Sequence, residues 1–188
     1  MVKMLVAGFD AFGNLSTNPS GELATELART VPDAKSIILP TSYERAATIL
    51  LDELRQTGPS YGVMFGYSRR AESLRLERYA RNRDKAKRPD NDGRIRSSVI
   101  DSEAPEVLSG RVDVAKLHSI LTERGCNVSM SENAGGYVCN HTYFKVLAYL
   151  HRSGKKLPFL FAHIPGPELS RQTVETGRAL LKVLDQAV

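Results

Sequence analysis

Short apolar runs alternate along this chain with stretches whose apolar positions recur every three or four residues. VKMLVAGF is continuously apolar, the pattern of a strand covered on both faces, and FDAFGNLSTNPS after it is a loop rich in Gly, Asn, Ser and Pro. SGELATELARTV then returns to helical spacing, with Pro19 at the entrance, Ser20 as a cap and Leu23 and Leu27 facing inward. The order repeats in AKSIILPTS, a β-rich segment, and YERAATILLDELRQTG, a helix that stops near Gly58. SYGVMFGY is a third buried strand.

The middle of the chain is less regular. ESLRLERYARN alternates bulky and charged residues and reads as a strand near one edge of a sheet, whereas RDKAKRPDNDGR reads as an exposed connection turning at PDNDG. RVDVAKLHSILTERG is helical, CNVSMS a short strand and CNHTYFKVLAYLHRSG the next helix. LPFLFAHIP and RQTVETGRALLKVLDQ supply a last strand and helix. Repeated strand–helix order predicts a three-layer α/β/α fold, its sheet mainly parallel with an edge hairpin or antiparallel strand. A length of 188 residues suits one domain over 1–188.

Composition changes this picture little. With 41% hydrophobic and 25% charged residues the chain is an ordinary globular one, which excludes disorder as the organising state. No apolar run reaches the roughly 20 residues of a membrane helix, and the start reads as a core strand rather than a leader. Two cysteines outside any CxxC pair fit reduced thiols and a cytoplasmic location. The net charge of +5 is local. Arg69 to Arg96 holds eleven Arg or Lys against five Asp or Glu, while the rest of the chain holds 15 against 16. That strip reads as a solvated charged face, a collector of anions or a nucleic-acid patch, and no nucleic-acid-binding motif supports the last.

Three loops follow apparent strands, GFDAFG, GYSRR and IPGP, and in open α/β sheets such loops converge on one crevice. Cys139 reaches the crevice from the start of a helix, where free N–H groups and the helix dipole favour a thiolate. Gly135 and Gly136 just before it allow a sharp turn and offer backbone donors for an oxyanion. Cys126 lacks that setting. His141 points roughly 200 degrees away from Cys139 on a continuing helix. His163, where FLFAH gives way to IPGP, is the better proton partner, and His118 and His151 need only surface roles. A carboxylate to orient His163 is open among Glu77, Asp10 and Asp92. No HExxH or paired CxxC suggests a metal.

Taken in order, LVAGFDAFGNLSTNPS, LERYARNRDKAKRPDN, SENAGGYVCNHTYF and FAHIPGP resemble the pyroglutamyl peptidase I family, the pyrrolidone-carboxylate peptidases, over nearly the full chain. The resemblance implies a cysteine peptidase that removes N-terminal pyroglutamate through an acyl-enzyme, with Cys139 as nucleophile, His163 as general base and acid, and Glu77 orienting the histidine. It also implies that Phe9 and Phe12 flank the lactam ring, with Asn18 and Lys87 near the acyl site; Tyr67, which stands at the family's Gln position, and Val138 are the other residues expected in the substrate site. No cofactor is expected. The partners implied are pyroglutamyl peptides, with a homo-oligomer left open and no specific nucleic acid or membrane. GYSRRA departs from the GQAGGR of many bacterial relatives, and Lys87 stands where they usually carry arginine. Two alternatives follow: a related cysteine amidase with another acyl specificity, and a non-catalytic binding module using residues 69–96.

Overall fold

A computed structural model describes residues 2–187 of the chain. In chain order the elements are β1 (Met4–Phe9), α1 (Pro19–Thr30), β2 (Ala34–Leu39), α2 (Arg45–Thr57), β3 (Tyr61–Tyr67), β4 (Leu74–Glu77), β5 (Tyr79–Arg81), β6 (Val107–Ser109), α3 (Val114–Glu123), β7 (Val128–Ser131), α4 (Val138–Arg152), β8 (Phe159–Ile164) and α5 (Arg171–Ala187). Six strands form the central sheet in the order β2-β1-β3-β8-β4-β7. β2, β1, β3 and β8 are parallel, β4 runs antiparallel to β8, and β7 runs parallel to β4. The antiparallel element of the sequence reading is therefore a pair of strands closing one side. Among the described residues no helix is long and apolar enough to cross a membrane.

Side-chain alternation divides the core in two. Leu5, Ala7 and Phe9 of β1 and Phe159 and Phe161 of β8 pack with residues of α2 and α4. Met4 and Val6 of β1 and Leu160, Ala162 and Ile164 of β8 pack with residues of α1, α3 and α5 on the other face. This two-sided burial is why the strands read as continuous apolar runs.

Three details differ from the sequence reading. The single strand expected in LRLERYARN is interrupted at Arg78, whose N–H donates to Ser131 O and whose carbonyl accepts from Gly110 N, both at 2.8 Å. Past that point the chain leaves the main sheet and β5 pairs with β6 instead. The connection after it is exposed but not loose. Asp90 accepts from the N–H groups of Tyr43 (2.9 Å), Asp92 (3.0 Å) and Arg94 (2.8 Å), and Asn82 is bonded on both sides of its amide to residues 100, 101 and 104. The cap of α1 is Asn18, which accepts from Ser20 N at 3.0 Å, while Ser20 Oγ accepts from Phe9 N at 3.1 Å.

Candidate active site

His163 follows Phe159 and Phe161 in the alternation of β8, so it faces α4. The antiparallel register sets Arg75 opposite His163 and Glu77 opposite Phe161, which brings both onto the same face. His163 Nδ1 lies 2.7 Å from Glu77 Oε1 and donates its hydrogen there, leaving Nε2 as the nitrogen able to accept a proton. Arg75 Nη2 stands 3.3 Å from the same Nδ1, a poorer contact, and Arg75 Nε donates to Glu77 Oε1 at 3.0 Å. Glu77 is fully buried. Burial alone would raise its pKa, but the hydrogen bond and charge of His163, helped by Arg75, hold the carboxyl below its ordinary value. The other carboxylates considered are engaged elsewhere. Asp10 accepts from Thr41 N at 2.7 Å, and Asp92 accepts from Arg45 Nη2 and Ser42 Oγ, both at 2.6 Å.

Cys139 is the second residue of α4. The helix has no side-chain cap, and its ladder begins with His141 N donating to Tyr137 O at 3.1 Å, so the earlier N–H groups of the first turn lie outside it. Gly135 turns the chain into the helix at φ +88°, a conformation suited to glycine. Its N–H, however, donates to Asn133 Oδ1 at 3.1 Å. Of the two glycine N–H groups expected to serve an oxyanion, that of Gly135 is therefore already bonded within its own turn. Gly136 fits closely against the neighbouring loop, its carbonyl accepting from Lys85 N at 2.8 Å.

The thiol is located by another glycine. Gly66 of β3 pairs with His163 of β8, and a Cβ added to Gly66 would lie 3.0 Å from Cys139 Sγ and 3.1 Å from the Phe161 ring. Cys139 Sγ therefore rests on the strand beside the one that carries His163, about 4.8 Å away in strand spacing. Gly66→Ala should push the sulfur off this seat and lower kcat/KM about tenfold or more. A KM effect without a change in kcat would contradict that reading.

The residue Cys139 keeps some exposed surface, but its thiol is deep. Burial pushes its pKa up to about 12, with the Glu77 charge adding to the effect and its own backbone N–H opposing it. This corrects the thiolate expected at a helix start: desolvation outweighs the helix end here. Iodoacetamide labelling of Cys139, followed by mass spectrometry of the peptide, should keep accelerating above about pH 9, whereas a preformed thiolate would plateau near neutrality.

A cavity of about 590 Å³ joins these groups, lined by Cys139, His163, Phe9, Phe12, Asn18, Tyr67, Lys87, Gly135 and Gly136 among others. The Val138 side chain does not line it, being fully buried in the core, so of this expected site residue only the backbone can face a substrate. Asn18 reaches the wall, but its amide also holds the first loop, Nδ2 donating to Asp10 O at 2.8 Å. The Phe12 ring stands 6.4 Å from that of Tyr67 and 6.1 Å from that of Tyr137. Tyr137 and Arg88 were missed in the sequence. Arg88 lies 5.7 Å from the Phe12 centroid and 5.8 Å from that of Tyr137, and only adjacency to Cys139 and Lys87 hinted at either. His141 faces elsewhere, with Nδ1 at 3.0 Å from buried Asp84.

An open α/β sheet with a helix-start thiol beside a buried imidazole–carboxylate pair defines a hydrolase of the cysteine-peptidase class. The chain belongs to the pyroglutamyl peptidase family, whose model matches residues 2–183. It is 30% identical over 167 residues to pyrrolidone-carboxylate peptidase 1 of Caldanaerobacter subterraneus subsp. tengcongensis, covering 87% of this chain and 82% of that one. The pyrrolidone-carboxylate peptidase of Bacillus cereus is 30% identical over 192 residues, covering 94% and 89%. Among solved structures, the pyrrolidone carboxyl peptidase of Thermococcus litoralis superposes with a TM-score of 0.86 at 25% identity, covering 100% of this chain and 97% of that one. A mutant of the Pyrococcus furiosus enzyme gives 0.88 at 25% identity, with 98% and 99% covered.

Proposed function

We propose that the chain, acting as a single domain, hydrolyses the bond after an N-terminal pyroglutamyl residue, with Cys139 as nucleophile, His163 as general base and acid, and Glu77 as the carboxylate that orients the histidine. The observation that supports this most directly is the 2.7 Å His163–Glu77 contact on the cavity that also holds the Cys139 thiol. As the sulfur attacks the acyl carbon, Nε2 of His163 takes the thiol proton. The high thiol pKa makes this transfer part of the attack rather than a step completed beforehand. Gly136 N–H and the first-turn N–H groups of α4 receive the oxyanion. When the C–N bond breaks, His163 returns the proton to the departing amine. It then deprotonates water, which attacks the thioester to release pyroglutamate and restore the thiol.

Pyroglutamate presents a flat, uncharged ring. Phe9, Phe12 and Tyr137 supply apolar surface for it, with Tyr67 closing one side, while Asn18 and Lys87 complete the wall. The deciding measurement compares pyroglutamyl, prolyl and glutaminyl reporter amides. Proline lacks the lactam carbonyl and would leave a buried donor unpaired, so kcat/KM for the pyroglutamyl amide should exceed the prolyl value about 10²-fold or more. Comparable values would transfer the assignment to a cysteine amidase of broader acyl specificity, in keeping with the Tyr67, Arg69 and Arg70 departure.

A further inference from the structure

Six cationic side chains line the cavity, Arg69, Arg70, Arg75, Lys85, Lys87 and Arg88, and no Asp or Glu joins them. Arg75 is paired with Glu77. Among the described residues the other five enter no ion pair. Of the five arginines of the same segment that do not line the cavity, three are paired, Arg78 with Glu132, Arg94 with Glu44 and Arg96 with Asp84, while Arg81 and Arg83 enter no ion pair among the described residues. Most of the strip's charge outside the cavity is thus paired, whereas only one of the six cations inside it is. A neutral lactam makes no use of that charge.

We propose that the departing side of the substrate is anionic: the site selects pyroglutamyl peptides with carboxylates close to the cleaved bond. This rests on the pyroglutamyl reading above. A concave cleft lined by one sign of charge focuses its field and concentrates ligands of the opposite sign. The acyl ring belongs against the aromatic wall with Lys87 beside it, whereas Arg69, Arg70, Lys85 and Arg88 are exposed, where a peptide leaving the cleft would pass. Arg88 covers the Phe12 and Tyr137 rings from outside and carries the charge up to the edge of the ring site. Nucleic acid fits less well, because these cations gather around a cavity holding the thiol rather than along an extended track.

Two sources of the carboxylate are possible in a peptide, an acidic side chain and a free terminus. Four substrates separate them: pyroglutamyl-alanine amide with no charge, pyroglutamyl-alanine with only the terminus, pyroglutamyl-glutamate amide with only the side chain, and pyroglutamyl-lysine amide with a cation. At low salt, one or both acidic substrates should exceed the neutral amide in kcat/KM by about fivefold or more, chiefly through KM, and the lysine peptide should fall below it. At about 0.5 M salt the advantage should shrink to about twofold or less. In the double variants Arg69→Gln with Arg70→Gln, and Lys85→Gln with Arg88→Gln, the acidic-to-neutral ratio should drop. If a variant does not fold, the salt dependence of the parent enzyme still decides.

Cleavage of all four substrates at similar rates at low salt would overturn the charge selection and leave the pyroglutamyl reading standing. Cleavage of none would remove both. Charge-blind cleavage combined with tight competition by a single-stranded oligonucleotide would overturn it and assign the cations to nucleic acid.

Discussion

A Cys139→Ala enzyme should lose pyroglutamyl hydrolysis by at least about 10⁴-fold in kcat while retaining its fold. In the proposed mechanism the sulfur is the atom that bonds to the acyl carbon, and no other thiol lines the cavity among the described residues. Its structural part is small. It rests on Gly66, and losing one atom there leaves the apolar packing of α4 by Tyr143, Phe144, Val146 and Leu147 untouched. Cys139→Ser should be nearly as inactive, since a hydroxyl in this desolvated seat is harder to deprotonate than a thiol already raised to about 12. Cys126 is the control, because its Ala variant should hydrolyse at the parent rate. Unaltered turnover by a folded Cys139→Ala enzyme, with thermal midpoint and circular dichroism matching the parent, would place the nucleophile elsewhere.

Glu77→Gln is the second large expected effect, a fall of about 10² to 10⁴ in kcat/KM. The volume is conserved, but a glutamine can offer its amide N–H to Nδ1, which moves the ring hydrogen to Nε2 and blocks the nitrogen that must accept the thiol proton. The charge matters separately. Arg75, now paired with Glu77 at 3.0 Å, would face His163 without a counter-charge and oppose the imidazolium that forms during attack. Because the folded-state pKa of Glu77 is lowered, its contribution to stability is present above the ordinary carboxylate pKa and is lost as pH falls through the lowered value. Thermal midpoints across the acid range should therefore depend on pH less in the Gln variant than in the parent. Equal kcat/KM for the two proteins would leave His163 without this partner's help.

Repeated strand and helix patterns were enough to predict a three-layer fold, because burial on both faces writes continuous apolar runs into VKMLVAGF, SYGVMFGY and LPFLFAHIP. Cys139 at a helix start and His163 at a strand end were also visible, and the motif resemblance singled out Glu77 among three carboxylates. Neighbours across the sheet were not visible. Local alternation tells which face a side chain takes, but the reversed insertion of β4 beside β8 is a long-range pairing, and that register alone sets Glu77 against His163. The same limit hid the function of polar residues in the middle segment. Asp84 and Asp90 read as loop surface and Asn82 as the end of an edge strand, yet all three are buried because each satisfies partners far away in sequence. The bonding of the Gly135 N–H and the burial of the Val138 side chain were hidden for a related reason: which N–H is already bonded and which side chain enters the core depend on groups that folding brings up. The charge state of Cys139 was least accessible of all. A helix start is encoded locally and favours thiolate, whereas desolvation is a property of everything packed around the sulfur, and in the folded protein it is the stronger effect.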